Sequence, residues 1–486
     1  MPNDYKTPGV YVEEIAKFPP SVAQVETAIP AFIGYTQQAK KTTAGDLTRV
    51  AVRISSMRQY ELLFGGPPTQ DITVTLETTT LEDASTLTLP TVASVASPSP
   101  YQMYHSLQAY FSNGGGPCYI ISVGDYADDN AVDDTKLGIA EGAEPGGLAI
   151  AKKIDEITLY TFTDIAALGI SNYYALYKSA LDECSRLQDR FTIIDVKMND
   201  GDTAPDAADP HKPVTAIRGT TAGLGDNLKY GAAYYPWLKS ILSYNFQLDY
   251  DKANVTFDND GGDLDTDTWE DSIGNAIVTN QFESQVKQVI GQLRIELPPS
   301  PFIAGIYASV DRSRGVWKAP ANVALGNVIE PLVKISDEDQ RDYNVHSSGR
   351  SVNAIRSFTG RGTLVWGART LAGNDNEWRY VPVRRFFNMV EESVKNASAQ
   401  FVFEPNDANT WVRVRAMIEN FLTLQWRAGA LAGAKPEDAF YVRVGLGSTM
   451  TADDILNGRM IVEIGMAAVR PAEFIILRFS HKMQES

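Results

Sequence analysis

Residues 101–123 read YQMYHSLQAYFSNGGGPCYIISV, and this stretch decides the fold. Its first part places Met103, Leu107 and Tyr110 on one face of a helix that we predict at 101–112. A glycine-rich turn follows at 113–117, and the apolar run CYIISV comes after it. A strand without alternating polar residues is typical of a strand covered on both faces, as in parallel sheets.

The same order of helix, turn and apolar strand recurs further along the chain. Helix 172–188 precedes the strand FTIIDV at 191–196, and helix 281–294 precedes a predicted strand, FIAGIYAS, at 302–309. Residues 146–162 supply a short helix and a strand between the first two units. Helices that alternate with continuous apolar strands indicate a mixed α/β fold around a mostly parallel sheet.

Two segments near the start of the chain contrast with each other. Residues 29–35 (IPAFIGY) predict a buried strand. Residues 66–100 instead begin with Gly-Pro-Pro, end with Pro-Ser-Pro and alternate Thr with Val, Leu and Ile between them. Period-two alternation predicts strands with one wet face. We therefore interpret 66–100 as a β-hairpin excursion, inserted at the surface.

Residues 340–486 form a further block of helices followed by strands. Helix 382–397 starts at Pro382, and the helix at 407–428 is capped by Asn406 or Asp407. Strands are predicted at 440–446, 460–466 and 473–480.

Both ends of the chain read as strands that lack a local partner. Val10-Tyr11-Val12 is β-prone and is followed by Pro19-Pro20, which stops any regular element, while the strand at 473–480 comes near the other end of the sequence. A lone strand is unstable in water. We therefore expect two terminal arms that need a partner.

Composition and charge exclude several classes of protein. The net charge of -17 over 486 residues disfavours a broad nucleic-acid surface, because phosphates would be repelled. The region from Arg350 to Arg443 has 13 Lys and Arg against 9 Asp and Glu, and either faces an acidic partner or forms internal ion pairs. Cys118 and Cys184 are expected to be buried reduced thiols. Without a signal-like start or a spanning apolar stretch, we expect a soluble protein made in the cytoplasm.

The sequence offers little for catalysis. In the run His346-Ser347-Ser348-Gly349 a nucleophile stands near a base, but neighbouring residues rarely present that geometry. The glycines at 114–116 follow a helix and precede a strand, which is the reverse of a phosphate-binding loop. The acidic loop 258–267 does not fit the register of a calcium loop. We predict that the chain is not an enzyme and has no catalytic residue, cofactor or metal site.

Ten stretches carry a resemblance to a known family. In chain order they are TPGVYVEEI (7–15), FIGYT (32–36), NGGGPCYIISVG (113–124), NLKYGAAYYPWL (227–238), PPSPFIAGIYASVDRSRGVWKAPAN (298–322), VNAIRSFTGRGTLVWGARTL (352–371), WRYVPVRRFFNMVEESV (378–394), FEPNDANTWVRVRAMIENFL (403–422), FYVRVGLG (440–447) and RPAEFIILRFSH (470–481). The chain resembles the tail sheath proteins of contractile phage tails, tailocins and extracellular contractile injection systems. Residues near 66–100 and 197–226 depart from the pattern, as variable surface insertions do.

The resemblance implies a tail-sheath fold in which the terminal parts build one domain and the middle is inserted and points outward. We expect an amino-terminal arm at 1–25, an outer α/β domain at 26–335 with its β insertion near 66–100, and a carboxyl-terminal core domain at 336–486.

The resemblance also implies a function and partners. We expect stacked hexameric rings that form a helical polymer around an inner tube and contract to drive the tube through a target membrane. The implied partners are further copies of the chain, the tube protein, and baseplate and terminal cap proteins, without nucleic acid and without insertion of the chain into a membrane. The particle would assemble in the bacterial cytoplasm and then be released or anchored at the envelope.

Specific residues are assigned to these contacts. We predict that the arms add strands to sheets of neighbouring copies, with donor residues Val10, Tyr11, Val12, Glu13, Phe474, Ile475, Ile476, Leu477, Arg478 and Phe479, and acceptor residues Tyr441, Val442, Arg443 and Val444. Arg384, Arg385 and Lys395 on helix 382–397 are predicted to face the tube. The alternative for that helix is an exposed face with Glu391–Lys395 pairing.

Two other classes of protein remain as alternatives. One is another self-assembling shell or surface-layer protein. The other is an α/β enzyme, which would need a glycine fingerprint between a strand and a helix that the sequence lacks. One chain containing both arms argues against a type VI secretion sheath, which resembles two shorter chains.

Overall fold

The structure is a computed structural model that describes residues 22–80, 86–95, 97–127, 132–142, 144–201, 203–206, 208–219, 222–246, 255–259, 262–263, 276–476 and 478. The predicted donor residues Val10–Glu13, Leu477 and Phe479 lie outside the described residues, as do residues 264–267 of the acidic loop.

The α-helices of the described residues are α1 (Met57–Phe64), α2 (Met103–Ser112), α3 (Asp134–Leu137), α4 (Gly147–Ala151), α5 (Ile170–Leu187), α6 (Lys212–Arg218), α7 (Ala276–Ile290), α8 (Ser300–Arg314), α9 (Asp337–Asn344), α10 (Val381–Ser398), α11 (Ala408–Arg427), α12 (Pro436–Ala439) and α13 (Ala452–Leu456). The strands are β1 (Pro30–Thr36), β2 (Ala51–Ile54), β3 (Ile72–Thr80), β4 (Thr86–Ser94), β5 (Cys118–Asp125), β6 (Leu159–Phe162), β7 (Phe191–Asp195), β8 (Gly231–Tyr235), β9 (Leu238–Ser240), β10 (Val255–Asn259), β11 (Gly262–Asp263), β12 (Glu296–Leu297), β13 (Val323–Ala324), β14 (Val328–Pro331), β15 (Val352–Phe358), β16 (Gly362–Val365), β17 (Phe440–Val444) and β18 (Val462–Met466).

The contacts divide the chain into two compact units. The large unit comprises Glu26–Met389 and the chain from Arg470 onward, and the small unit comprises Val390–Val469 with the described residues up to Val25. The division near residue 390 falls within α10. The sequence-based boundaries at 25 and 335 stay predictions.

A nine-stranded sheet forms the centre of the large unit, in the order β13-β16-β15-β8-β7-β6-β1-β5-β2. The six strands from β15 to β5 run parallel, and antiparallel strands close both edges. The prediction of an α/β fold around a mostly parallel sheet is confirmed.

Both faces of this sheet are covered, which explains its continuous apolar strands. Alternate residues of a strand point to opposite faces, so Ile33 belongs to one core layer and Phe32 to the other. Tyr177 of α5 packs in the first layer, and Leu107 of α2 and Tyr307 of α8 pack in the second. All five side chains are fully buried.

One predicted strand is wrong. Residues 302–309 lie within helix α8, in which Phe302, Ile303, Ile306 and Tyr307 are buried. Their spacing matches a helical face, and a short apolar run does not by itself distinguish a strand from a buried helix. Gly305 lets α8 approach α2, because a Cβ there would lie 2.6 Å from the Tyr110 carbonyl oxygen.

The predicted hairpin insertion is present. Strands β3 and β4 pair antiparallel from Thr73↔Ser94 to Thr80↔Thr86, with one irregularity, and β3 also pairs with β10. Ile72, Val74 and Leu76 are buried against a cluster that includes Val286 of α7. The intervening threonines therefore supply the wetter face, as the alternation predicted.

The small unit is built on helix α11. Asp407 is the residue that caps this helix, since its carboxylate accepts the Thr410 backbone N–H at 3.0 Å. Val414, Ile418 and Phe421 form the buried stripe of this helix. Val25 belongs to this unit, and its backbone N–H donates to Ser393 Oγ at 3.0 Å.

Candidate assembly interface

The predicted acceptor residues lie on a small, isolated sheet. Strands β17 and β18 pair antiparallel, from Phe440↔Met466 to Val444↔Val462. Val442 is buried, whereas Tyr441 and Arg443 on either side of it are exposed. Among the described residues, no third strand pairs with β17 or β18.

Side chains on the exposed face of this sheet contact one another across the strands. The Tyr441 hydroxyl donates to Glu463 Oε1 at 2.9 Å, and the Arg443 guanidinium lies 4.7 Å from the centre of the Tyr441 ring. Gly465 leaves room for that ring, because a Cβ at this position would lie 2.2 Å from it. These contacts fix the pairing of β17 with β18, beside which an added strand would lie.

Both outer edges of the pair leave backbone groups available in the described chain. A two-stranded sheet is marginally stable in water, and an unpaired edge is a template for another strand. The arrangement is therefore suited to accept an extended segment on either side.

The described part of the carboxyl-terminal segment is extended from the fold rather than packed into it. Phe474, Ile475 and Ile476 are 71%, 79% and 78% exposed. The strand predicted at 473–480 is not formed in residues 473–476 and 478. A single strand without a partner edge is unstable in water. This apolar segment is therefore not expected to form a strand within one chain.

Sequence reasoning missed the residues that hold the start of this segment. Arg369 Nε and Nη2 donate to the two carboxylate oxygens of Glu473 at 2.9 Å and 2.6 Å, and the Tyr380 hydroxyl donates to the same carboxylate at 3.2 Å. Arg369 is 3% exposed. The partners are 104 residues apart, and no local pattern in the sequence connects them.

The structure contradicts a surface role for two of the predicted tube-facing residues. Arg384 and Arg385 are both buried. Arg385 binds Asp311 at 2.5 Å, and Arg384 donates to Asn388 at 2.7 Å while its guanidinium lies 4.2 Å from the Trp378 ring centre. The sequence did contain a signal for this burial, because apolar residues flank both arginines in VPVRRFFNMV. A charged group buried in such surroundings needs partners inside the fold.

Lys395 is the predicted tube-facing residue that the structure leaves at the surface. Its side chain is 67% exposed, and its ammonium group binds Glu392 at 2.9 Å. An exposed ion pair of this kind contributes about 0–1 kcal/mol and is easily exchanged for another partner.

Two buried carboxyl groups occupy the edge of the sheet where α/β enzymes commonly place their active sites. Asp164 follows β6 and accepts the Gln102 backbone N–H at 2.6 Å, and Asp195 ends β7 and accepts the Ser300 backbone N–H at 2.7 Å. Burial raises the pKa of each carboxyl group to about 7. Both groups hold the start of a helix, α2 or α8, and therefore have a structural role.

The His346 region forms an exposed turn. His346 Nδ1 lies 2.8 Å from Ser348 Oγ, so the two side chains do meet, and its Nε2 lies 3.8 Å from Asp342. Asp342 is already bound by Arg218 at 2.5 Å. A catalytic triad also requires oxyanion donors and a substrate pocket, so these three contacts alone do not define a catalytic site.

The described part of the chain contains no group of three or more His, Cys, Asp or Glu residues placed to hold a metal ion. None of its helices has both the length and the apolar character of a membrane span. Cys118 and Cys184 are buried thiols, as predicted, and burial raises the pKa of Cys184 to about 12.

Comparison with protein families gives a match at the carboxyl-terminal end. The model of the phage tail sheath C-terminal domain matches residues 373–482. The tail sheath protein of Vibrio phage KVP40 is 25% identical over 127 residues, and that of Enterobacteria phage T4 is 25% identical over 126 residues. Each match covers 26% of this chain and 19% of the relative, so the chain spans about a fifth of these curated relatives.

Solved structures match almost the whole chain. The sheath complex of the PVC extracellular contractile injection system in its contracted state is 33% identical, with 98% of both chains covered and a TM-score of 0.62. The contracted helical sheath of the anti-feeding prophage is 32% identical, with 98% of this chain and 99% of that chain covered and a TM-score of 0.63. The shared fold is that of a sheath subunit. This chain belongs to the family of contractile injection system sheath proteins.

Proposed function

We propose that this chain is the sheath subunit of a contractile injection machine. It polymerises as helically stacked hexameric rings around an inner tube and contracts to drive the tube through a target membrane. The observation that carries this proposal is the likeness, over 98% of the chain, to a sheath solved in a contracted state. The proposed partners are further copies of the chain, the tube protein, and baseplate and terminal cap proteins, and assembly takes place in the bacterial cytoplasm.

The proposed link between subunits is strand addition to the β17–β18 sheet. Val10–Glu13 of one copy and Phe474–Phe479 of another extend the sheet at its two edges. The unpaired edges and the exposed side chains of Phe474–Ile476 support this assignment. Backbone ladders of this kind keep copies connected while each subunit rotates, with Pro19-Pro20 and Gly447 as candidate junctions.

Contraction in this proposal needs no catalysis by the sheath. The extended polymer is a metastable state held by the tube and the baseplate, and a bias of a few kcal/mol per subunit makes the switch one-way when subunits act together. Contacts to the tube are weak and exposed, with Lys395 as the candidate residue.

Deleting residues 1–15 tests the proposal. We expect the truncated chain to stay monomeric, with unchanged helical content, when the full chain forms hollow tubes in negative-stain micrographs. A matched control removes residues 81–85, which join β3 to β4 in the sequence, and this variant should still form tubes.

The same micrographs discriminate between the alternatives. Tubes of normal length from the truncated chain would refute strand donation by the amino-terminal arm. Flat sheets or closed shells from the full chain would favour a layer protein, and monomers at high concentration would favour an enzyme.

A further inference from the structure

We propose that Arg369, Tyr380 and Glu473 form a clasp that fixes the root of the carboxyl-terminal arm, so that the register of the donated strand is measured from Glu473. This inference rests on the proposed function, because it concerns the arm that is donated to a neighbouring copy. We call these three residues the arm clasp.

The geometry of the arm clasp is that of a fixed anchor. The guanidinium of Arg369 meets the Glu473 carboxylate with two parallel hydrogen bonds, at 2.9 Å and 2.6 Å. A bidentate pair of this kind adds directional specificity to charge attraction. Since the Arg369 side chain is 4% exposed and that of Glu473 is 18% exposed, water competes little for either group.

Arg369 is itself held by the central sheet of the large unit. Its backbone N–H donates to Asn353 Oδ1 at 2.7 Å, and Asn353 Nδ2 donates to the carbonyl oxygen of Ala233 at 3.1 Å. Asn353 lies on β15 and Ala233 on β8, which are neighbouring strands. The arm clasp therefore ties Glu473 to the central sheet of the large unit.

Beyond Glu473, the described residues 474–476 and 478 are all exposed. Glu473 is largely buried, and the next residue, Phe474, is 71% exposed. The arm that is free to reach a neighbour therefore starts at Phe474. Its predicted donor segment, residues 474–479, spans at most ~20 Å when fully extended.

A fixed root matters because strands alternate their faces. Shifting a strand by one residue turns every side chain to the opposite face. With Glu473 held in place, the distance to the acceptor sheet decides whether Phe474 or Ile475 points toward the partner's interior. The arm clasp thus sets which side chains the neighbouring copy buries.

A similar arrangement stands at the root of the amino-terminal segment. Arg385 donates to the Thr27 carbonyl oxygen at 2.8 Å and binds Asp311 at 2.5 Å, and the Thr27 hydroxyl donates to Asp311 at 2.6 Å. Each arm thus has a buried arginine at its root, Arg385 at one and Arg369 at the other. This likeness supports a role for both arginines in positioning the arms.

The first test compares two Glu→Gln variants in the monomer. Glu473→Gln removes the charge from the arm clasp, and Glu419→Gln makes the same change in an exposed pair with Arg415. Cleavage by chymotrypsin after Phe474 should become about tenfold faster or more in Glu473→Gln, because the protease must draw Glu473 out of the arm clasp and a hydrogen bond to a charged group resists this. It should stay unchanged in Glu419→Gln, and equal cleavage rates in both variants would overturn the proposal.

The second test measures register in the polymer. One Gly inserted between Glu473 and Phe474 should abolish tube formation, because it moves every side chain of the arm to the opposite face of the donated strand. Two inserted residues should return the side chains to their original faces and restore at least part of the assembly. Adding Glu473→Gln to the one-residue insertion should rescue assembly, since a released arm can find its register again.

The outcomes separate the two proposals. If deletion of residues 474–479 leaves tube formation intact, strand donation by this arm is wrong. If that deletion abolishes tubes while the one-residue insertion has no effect, or is not rescued by Glu473→Gln, only the arm clasp is refuted.

Discussion

The two compact units of this chain differ in how far the strands of each unit are paired and covered within the described chain. The large unit has a nine-stranded sheet with buried side chains on both faces, whereas the small unit has a two-stranded sheet whose outer edges are unpaired in the described chain. A sheet covered on both faces is stable within one chain, but a pair of strands is marginal. Under the proposed function, the small unit is therefore the part whose sheet a neighbouring copy completes.

The sequences of the strands show the same contrast. Strand β5 reads CYIISVGD and is buried along nearly its whole length, while β17 reads FYVRV and alternates buried and exposed positions. Continuous apolar strands are typical of covered sheets, and alternation is typical of one-sided sheets. The sequences of the strands therefore indicate that the two-stranded sheet, and not the central sheet, has one face in solvent.

The largest expected effect comes from truncating the core of the large unit. Phe302→Ala should lower the free energy of unfolding by about 3–5 kcal/mol, because Phe302 is fully buried on α8 and its removal leaves a cavity. Urea denaturation of the monomer, followed by circular dichroism, measures this change.

Phe403→Ala is the matched control in the small unit. Phe403 is fully exposed, so its truncation should change the free energy of unfolding by less than about 0.5 kcal/mol. Equal losses in the two variants would break the contrast between the units.

A smaller effect is expected from the buried carboxyl groups of the large unit. Burial raises the pKa of Asp195 to about 7, above its ordinary value of 3.8, so its contribution to stability is present at low pH and is lost as pH rises through 7. His105 acts in the opposite direction, since burial lowers its pKa to about 4. The comparison must therefore be made between wild type and Asp195→Asn, not on wild type alone.

The stability advantage of wild type over Asp195→Asn should shrink by about 2 kcal/mol from pH 5 to pH 8. Urea denaturation of both proteins at each pH measures it. A difference that is constant with pH, or that grows as pH rises, would show that Asp195 is ionised throughout.

The smallest effect is expected at the surface of α10. Lys395→Glu should weaken attachment of the sheath to the tube by about 0–1 kcal/mol per subunit, because the side chain is exposed. Co-sedimentation of tube and sheath at low salt measures it, with Lys178→Glu on α5 as a control for an exposed pair of the large unit. Equal loss of attachment in both variants would argue against a specific contact at Lys395.

Much of the fold was predictable because buried residues are apolar and recur in the sequence with the period of the helix or strand that contains them. Helices α2, α5, α10 and α11 and most central strands follow from the spacing of apolar residues. The strand expected at 302–309 is wrong because a short apolar run fits a buried helix equally well, and only its packing against α2 and the sheet decides.

The candidate site was predictable only where it depends on local pattern. The acceptor strand and the exposed apolar arm follow from residues close in sequence. Arg384 and Arg385 were assigned to a surface because the partner of Arg385, Asp311, is 74 residues away in the chain. The arm clasp was missed for the same reason, since Arg369 and Glu473 meet only through the tertiary fold.

The most direct test of this account is a cryo-EM map of the polymer formed by the purified chain, at a resolution that traces individual strands. The account predicts that β17 and β18 are flanked by extended segments and that Val10–Glu13 and Phe474–Phe479 of other copies supply them. A map in which the sheet keeps two strands, with both ends of each chain folded onto that same chain, would contradict it.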